Sequence, residues 1–441
     1  MSKKILPFAL LTAGLLILLY SVYKDFGVGR IYSCDLRNRV VGARLIHDGR
    51  LPYFYKWKKE DGIRYYDPKN FDDLRISNIT ASPLFLELLQ PLSELPQWRI
   101  NWWWCGIQYV MLLVMVGIAV SLAETDRGKL TVLVFGFSFL LTEGWRMNIQ
   151  NGQNYLCIPL LTMMIYFLLV KRKNAWQALL AGTMLVMLVL IRPNALIIFI
   201  PFIFLLKNFS RSWLLVFFIP MLLATGWILG DRRERVLWQD YRDGLTEQVK
   251  AHQGLHPVIQ QNEPSPGFNE WEGIKNEDWR YFNISNPLHL HGETGNFFNL
   301  VNMAFHWKIP VKVLAISCLV IILSITGAYY FRNRGNGNFD LAQTALLGYT
   351  LYMISDLFSP VFRNTYYFVQ FLFPLLLVAG INRPAMKWVH GLLFTGILLN
   401  ISRIPFITMQ HTIGEYLMVA VLIFMVLSNK MIRPCPGKAS V

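Results

Sequence analysis

The stretch that decides the fold is residues 155–206. It contains YLCIPLLTMMIYFLLV (155–170), KRK (171–173), WQALLAGTMLVMLVLI (176–191), RP (192–193) and NALIIFIPFIFLL (194–206). Apolar runs of about 17–25 residues are long enough to cross a bilayer as helices, so the pattern predicts membrane helices joined by short turns. The two later runs are short and proline breaks helices. They are predicted to be a pair of short helices that meet at Arg192-Pro193, with one kinked span as the alternative.

The same pattern extends over the whole chain of 441 residues, of which 54% are hydrophobic and 16% are charged. A soluble domain carries about 25% charged residues, so the composition excludes a string of soluble domains. We predict an all-α polytopic membrane protein in which residues 1–441 form a single transmembrane domain. Twelve spans are expected, near residues 5–22, 103–123, 130–142, 155–170, 176–191, 194–206, 213–230, 310–330, 341–357, 366–381, 387–402 and 412–428.

The charges of the short turns predict the orientation of the chain. Turns rich in Lys and Arg stay in the cytoplasm, which places both termini there and explains the net charge of +15 without a nucleic-acid partner. The alternate turns then face outward and carry one cation each, namely Arg146, Arg192, Arg363 and Arg403. A guanidinium binds phosphate through a fork of donors, so these residues are candidates for anion binding. Contact with lipid headgroups is the alternative.

Two long segments are predicted to lie outside, at residues 23–99 and 231–308. They hold most of the acidic residues and many aromatic ones, including Tyr53 and Trp238. This aromatic content is too high for disordered chain. Short helices along the membrane interface fit better, because Trp and Tyr favour that depth.

Asp35 is the candidate for acid–base chemistry, because it opens the first outer segment directly after an apolar span. A carboxylate near the membrane surface is partly desolvated and therefore more basic, so it can accept a proton from a hydroxyl. The structural alternative is a helix N-cap or an ion pair with Arg37, Arg39 or Arg44.

Three further clusters are candidates for binding. The amides between Asn148 and Asn154 could hydrogen-bond a sugar or simply form a capped turn. The segment from Ser359 to Tyr367 places Arg363 and two tyrosines at an outer helix start, where the helix dipole also favours anions. The third cluster comprises His252, His256, His289, His291 and Glu293. It lacks a tight metal-binding pattern, so we expect no metal.

Taken in order, these motifs resemble those of the polyprenyl-phosphate-dependent glycosyltransferase family 87, in the GT-C class of membrane glycosyltransferases. The resemblance rests on Asp35 with Gly42-Ala43-Arg44, Gly49 and Pro52-Tyr53, then Ser82-Pro83-Leu84-Phe85 with Pro91-Leu92, Gly152-Gln153-Asn154, Arg192-Pro193, Pro201 and Ser359-Pro360. Two positions depart from the family pattern. Members often carry lysine where Arg192 stands, and a histidine is frequent where this chain has Arg363, Asn364 and Thr365.

The resemblance implies a GT-C-like bundle with extracytoplasmic interfacial helices. It also implies transfer of a mannose-like hexose or an arabinofuranose from a polyprenyl phosphate to a glycan or glycolipid of the cell envelope. The family's first-loop aspartate is its expected general base, and this role carries over to Asp35. A single displacement would invert the anomeric centre. No cofactor and no divalent metal are expected, and the active site is expected on the extracytoplasmic face of a bacterial inner membrane.

The predicted chemistry needs residues that bind the donor phosphate and residues that bind the sugar or the acceptor. The leaving group is a phosphate, which needs charge stabilisation rather than a general acid. The residues predicted to bind the donor phosphate are Arg363, Arg192, Arg146 and Tyr366. The residues predicted to bind the sugar or the acceptor are Arg37, Gln153, Asn154, Tyr53 and Trp238.

Two other functions compete with transfer. A transporter or flippase for a lipid-linked or anionic sugar would use the same arginines but should place charges near mid-membrane, and the predicted spans are nearly free of charge there. A non-catalytic assembly partner would use the arginines only for lipid headgroups.

Overall fold

The computed structural model of the chain describes residues 5–29, 34–67, 76–77, 79–171, 174–252, 295–334, 339–361, 363–381, 383, 386–401, 404 and 409–428. These residues form helices and connecting turns, with no β-strand among them. The all-α architecture predicted from the sequence is therefore confirmed. Arg403, His256, His289, His291 and Glu293 lie outside the described residues.

The described residues form sixteen α-helices and four 3₁₀ segments. The first eight helices are α1 (Ile5–Gly29), α2 (Cys34–His47), α3 (Pro83–Ser93), α4 (Gln97–Leu122), α5 (Asp126–Phe139), α6 (Glu143–Gln150), α7 (Cys157–Lys171) and α8 (Ala175–Ile191). The other eight are α9 (Arg211–Gly230), α10 (Arg232–His252), α11 (Phe297–Phe305), α12 (Val311–Asn333), α13 (Leu341–Leu357), α14 (Leu372–Ala379), α15 (Lys387–Ile401) and α16 (Gln410–Leu427). The 3₁₀ segments are Lys59–Asp61, Ile63–Tyr65, Pro193–Asn208 and Thr365–Phe371.

Each of the twelve predicted spans falls on helical chain. Within the described residues, five helices are long and apolar enough to cross a membrane, and they belong to α1, α4, α9, α12 and α16. The pair α5 and α6 passes the same test together, with a bend of 55° between them. Five further apolar helices have 10–17 residues. Twelve crossings therefore stay a prediction, whereas membrane-spanning character is clear.

Helical paths break at three places near one end of the bundle. Thr142 caps the start of α6 after the bend, with its hydroxyl oxygen accepting from the backbone N–H of Trp145 at 3.2 Å. The helix α8 ends at Ile191, and Pro193 opens the 3₁₀ segment that follows. The third break separates α13 from the 3₁₀ segment Thr365–Phe371. A helix break leaves backbone groups and side chains available for a site. Such non-helical chain is tolerated in membrane proteins where it lines a cavity.

The core forms around α13, which is buried along almost its whole length. Close helix approach makes this possible, as small residues let backbones meet in membrane bundles. A Cβ on Gly348 would lie 1.8 Å from the carbonyl oxygen of Ile198, so α13 packs directly on the segment that follows Pro193. Gly182 plays the same part between α8 and α9, where a Cβ would lie 2.0 Å from Phe217 O.

The first outer segment contains α2, which is packed inside the protein. In α2, residues 36–46 are all buried, including Arg37, Arg39 and Arg44. Arg37 donates from Nε to Tyr66 O and from Nη2 to Ile63 O, both at 2.7 Å. Arg44 donates from Nε to Ser93 O at 2.7 Å. Backbone carbonyls of the surrounding chain thus accept from the guanidiniums of Arg37 and Arg44, and this is what lets these two charged side chains lie inside the protein.

The second outer segment begins with α10, which follows α9 with only Asp231 between them. The residues that α10 turns inward are spaced as one helical face, and they are Glu234, Leu237, Tyr241, Leu245 and Gln248. Tyr241, Leu245 and Gln248 of this face line a large cavity together with α2, the end of α6 and the two later helix breaks.

Candidate active site

One cavity of about 580 Å³ lies between α2, α6, α10 and the two later helix breaks. Its charged lining residues are Asp35, Arg39 and Arg192. Its amide side chains belong to Asn38, Asn151, Gln153, Asn194, Gln248 and Asn364. Its tyrosines are Tyr155, Tyr241, Tyr366 and Tyr367. A cavity of this size and polarity suits a sugar-sized ligand, since ligand sites span about 300–1,000 Å³.

A smaller cavity adjoins the large one and shares five lining residues with it, Arg39, Thr80, Tyr155, Arg192 and Tyr241. Asn154 lines this smaller space. The predicted residues Asp35, Gln153, Asn154, Arg192 and Tyr366 are therefore brought together, although they come from four separate parts of the chain.

Asp35 lies in the first turn of α2 and is half-buried. The amide nitrogen Nε2 of Gln153 donates a hydrogen bond to its Oδ2 oxygen. On the other side of the same amide, Gln153 Oε1 accepts from Arg39 Nη2 at 2.5 Å. A glutamine between a guanidinium and a carboxylate has one consistent orientation, because only its oxygen can accept and only its nitrogen can donate. Asp35 therefore accepts this hydrogen bond through a carboxylate oxygen.

The turn that carries Gln153 is fixed from several sides. Gly152 has a φ of 61°, a left-handed conformation that favours glycine, and its carbonyl accepts from Arg39 Nη1 at 2.7 Å. The backbone carbonyl of Gln153 accepts from Trp104 Nε1 at 3.2 Å and from Gln108 Nε2 at 3.0 Å. The left-handed backbone explains the glycine at 152, and the two contacts of the side-chain amide explain the glutamine at 153.

Arg39 is a cavity residue that sequence reasoning did not assign to the site. Its side chain is buried, and among the described residues no acceptor partners its Nε. Asp35, Asn38 and Arg39 are spaced i, i+3 and i+4, which puts them on one face of a helix. Arg37 and Arg44 are seven residues apart and face the loop instead. This spacing was the signal that could have identified Arg39.

Arg192 caps the C-terminus of α8 and leaves its side chain 30% exposed toward the cavity. Its Nη2 lies 3.6 Å from Asp356 Oδ1, an ion pair too long for a hydrogen bond. The guanidinium lies 5.3 Å from the ring centroid of Tyr155, within the range of a cation–π contact. Arg192 is thus held in place while part of its guanidinium faces the cavity.

Stacked tyrosines form the wall beside Arg192. Tyr155 and Tyr366 stack with centroids 5.5 Å apart at 25°, and the hydroxyls of Tyr155 and Tyr367 lie 2.6 Å apart. The hydroxyl of Tyr366 accepts from Asn364 Nδ2 at 2.8 Å. This wall presents aromatic ring faces, and also hydroxyl groups, to a ligand in the cavity.

Two of the predicted phosphate ligands do not line the cavity. Arg363 is only 2% exposed and is paired with two buried carboxylates, Asp356 at 2.9 Å and Glu415. Arg146 is paired with Glu143 of its own helix. Their guanidiniums have protein carboxylates as partners, so the placement does not support a direct contact with donor phosphate.

Three predicted sugar or acceptor residues also lie away from the cavity lining. Arg37 is buried and binds loop carbonyls. Tyr53 is buried and donates from its hydroxyl to Ala81 O at 3.0 Å. Tyr53 and Trp238 pack against Tyr241, with ring centroids 5.5 Å and 5.7 Å away. Both rings support a cavity wall from behind rather than form it.

Within the described part of the chain, no group of three or more His, Cys, Asp or Glu side chains could hold a metal ion. The charged chemistry of the cavity is carried by one carboxylate and two guanidiniums.

Comparison with known proteins supports a transferase. Residues 80–266 match the model of glycosyltransferase family 87, which agrees with the resemblance found in the sequence and supports a membrane glycosyltransferase. The match includes Arg192 and the Gly152–Asn154 turn, whereas Asp35 and Arg39 precede it. A search of curated proteins finds no match.

Among solved structures, the crystal structure of the Archaeoglobus fulgidus oligosaccharyltransferase in the apo form is similar, with a TM-score of 0.43 and 12% sequence identity. The alignment covers 96% of this chain and 56% of that chain. The present chain thus spans little more than half the length of that protein.

Proposed function

We propose that the chain is a membrane glycosyltransferase, on the strength of the family 87 match over residues 80–266, and that it transfers a sugar from a polyprenyl phosphate to a hydroxyl of a glycan or glycolipid. Asp35 acts as the general base, and Arg39 and Arg192 bind the donor phosphate. The observation that carries this proposal is that these three side chains line one cavity.

The reaction is a single displacement with one proton transfer. The acceptor oxygen attacks the anomeric carbon while its proton passes to the Asp35 carboxylate. The bond between the anomeric carbon and the phosphate oxygen breaks, and polyprenyl phosphate leaves. Attack and departure occur on opposite faces of the sugar, so the anomeric centre inverts. Asp35 suits this task because Gln153 orients one of its oxygens and the carboxylate reaches the cavity.

Charge explains why two arginines are needed. The donor is a phosphodiester with one negative charge, and the leaving group is a monoester that approaches two. The additional charge develops on the phosphate as Asp35 loses its own by protonation. Arg39 and Arg192 supply fixed positive charge where it develops, which favours the transition state over the bound donor.

The polar lining supports recognition of a sugar. Amides from Asn38, Asn151, Asn194 and Asn364 can hydrogen-bond sugar hydroxyls, and the ring of Tyr366 can stack on a sugar face. A mannose-like hexose or an arabinofuranose fits the family resemblance. We place the site on the extracytoplasmic face of a bacterial inner membrane, with both termini in the cytoplasm. The charges of the turns support this orientation.

The test is transfer by purified protein from a radiolabelled polyprenyl-phosphate sugar, with Asp35→Asn compared with wild type. Loss of a general base lowers the rate by about 10²–10⁴-fold, while binding of the donor should persist. Asp240→Asn is the matched control, because Asp240 is half-buried on α10 but does not line the cavity. Unchanged transfer by Asp35→Asn would refute the base assignment.

The same preparation separates transfer from transport. A flippase for the lipid-linked sugar would move labelled lipid across proteoliposomes without forming product. Product formation in detergent, where no bilayer separates two compartments, would exclude transport as the sole activity.

A further inference from the structure

Four buried or half-buried charges connect the cavity to the core. Arg192 at the cavity lies 3.6 Å from Asp356 Oδ1. The second oxygen of Asp356 accepts from Arg363 Nε at 2.9 Å, and Arg363 Nη1 donates to Glu415 of α16. Asp356, Arg363 and Glu415 are each 2–3% exposed. The two acids and two bases balance, so the network as a whole is neutral.

A second connection runs parallel to the first. Arg192 lies 5.3 Å from the ring centroid of Tyr155, and Arg363 lies 5.3 Å from that of Tyr367. The two rings have centroids 4.2 Å apart. Arg192 is therefore held between the Asp356 carboxylate and the Tyr155 ring. Arg363 contacts that carboxylate directly and the Tyr155 ring only through Tyr367.

Asp356 lies closer to Arg363, at 2.9 Å, than to Arg192, at 3.6 Å, and this difference indicates what Asp356 does. Arg363 takes one oxygen in a hydrogen-bonded ion pair, while Arg192 remains beyond hydrogen-bonding distance of the other. A carboxylate shared in this way orients Arg192 by its charge without occupying its donors. If Arg363 were absent, Asp356 would be free to close on Arg192 and take the donors that a phosphate needs.

We propose that Asp356 is a positioning residue that aims Arg192 at the donor phosphate, and that Arg363 and Glu415 fix Asp356 for this purpose. The proposal rests on the proposed function, because it concerns the phosphate contact of Arg192. It also gives the buried Arg363 an indirect part in donor binding.

The experiment is a double-mutant cycle on donor binding. The variants are Asp356→Asn, Arg192→Ala and both together, measured by donor KM, by kcat and by binding of sugar-free polyprenyl phosphate. Asp356→Asn should raise the donor KM about tenfold with a smaller change in kcat, a coupling of the size found between contacting residues. In the Arg192→Ala background, the same change should raise KM less than twofold.

A purely structural role for Asp356 would give a different result. Asp25→Asn is the matched control, since Asp25 is also a buried carboxylate of a membrane helix but accepts from Tyr109 and Trp145, away from the cavity. It should lower the melting temperature and leave the donor KM unchanged. If Asp356→Asn is not recovered as folded protein, Asp356→Glu keeps the charge and displaces the carboxylate by one methylene. That variant should raise KM at a nearly unchanged melting temperature.

Two outcomes separate failure of this inference from failure of the proposed function. If Arg192→Ala leaves binding of polyprenyl phosphate unchanged, the phosphate site itself is misplaced, and both proposals lose Arg192. If Arg192→Ala weakens binding but Asp356→Asn has the same effect in both backgrounds, the phosphate site stands and the positioning role is overturned.

Discussion

Two helix breaks in this protein look alike in sequence and differ in structure. Each ends an apolar helix near a proline and carries a single arginine, Arg192 at one and Arg363 at the other. Arg192 is 30% exposed in the cavity, whereas Arg363 is 2% exposed between two carboxylates. A lone arginine at a helix break is therefore available to an anion only if buried carboxylates do not already pair with its guanidinium.

The largest effect that tests this contrast is on stability. Arg363→Ala leaves Asp356 and Glu415 buried without their shared cation, and removing one partner of a buried ion pair costs about 3–5 kcal/mol. We expect a large loss of melting temperature in detergent, measured by scanning fluorimetry. Arg192→Ala should change the melting temperature far less, because Arg192 is partly exposed. Equal destabilisation by the two variants would contradict the contrast.

The next largest effect is also on stability, and it concerns the close packing of α13 on the segment that follows Arg192 and Pro193. Gly348→Ala would place a methyl group 1.8 Å from Ile198 O and push α13 away from the segment that follows Pro193. Overpacking costs about 1–3 kcal/mol, and here the contact is with backbone, so we expect the upper end of that range. Gly226→Ala is the control, because a Cβ there meets nothing within 4 Å. A thermal shift of similar size for both variants would contradict this close approach.

The two faces of α2 extend the comparison to a second pair of arginines. Arg39→Ala should raise the donor KM about tenfold, the effect of losing one charge-assisted contact, with kcat measured in the same assay. Arg37→Ala should instead lower stability, because Arg37 binds the carbonyls of Ile63 and Tyr66. Should Arg37→Ala raise KM as much as Arg39→Ala, the faces would not be functionally distinct.

The smallest expected effect is a pH dependence of stability, and it comes from a pair of carboxyl groups with no arginine between them. Glu87 of α3 and Glu234 of α10 are neighbouring carboxyl groups, with Arg233 and Asp231 as the nearby charges. Burial raises the pKa of Glu87, and burial together with the charge of Glu87 raises the pKa of Glu234 to about 7. The pair thus retains a proton where Asp356 and Glu415 have an arginine.

The sign of the pH effect follows from that raised pKa. A carboxyl group that holds its proton more tightly in the folded state stabilises it fully below the unfolded pKa near 4.5, and this stabilisation is lost as the pH rises through about 7. Hydrogen exchange in the first turns of α10 should therefore be faster at pH 8 than at pH 6, after correction for the intrinsic rate. Glu234→Gln should remove most of this difference. A difference that persists in the variant would assign it to another group.

The sequence predicted the helices well because membrane burial leaves a signal in composition. Runs such as 176–191 need no partner to be recognised, and each predicted span coincides with helical chain. It also predicted Asp35, Gln153, Asn154, Arg192 and Tyr366 at or beside one cavity. These residues stand next to helix ends, where chain direction alone limits their surroundings.

The predicted site residues that do not line the cavity share a physical cause. Glu415 lies 52 residues from Arg363, and Ala81, whose carbonyl takes the hydroxyl of Tyr53, lies 28 residues away. No local pattern shows which distant group satisfies a buried arginine or tyrosine. Arg39 is a different case, because its i, i+4 spacing from Asp35 was visible and only the helical periodicity of that segment had to be applied.

The Gln153 amide has one more consequence, for the lifetime of the protein. Deamidation exchanges its NH₂ for an oxygen, so the side chain that donates to Asp35 would become a second acid with nothing to donate. Size and shape would hardly change, and neither would the turn at Gly152. We expect deamidation of Gln153 to lower the rate of transfer, because the new carboxylate would repel Asp35 instead of donating a hydrogen bond to it.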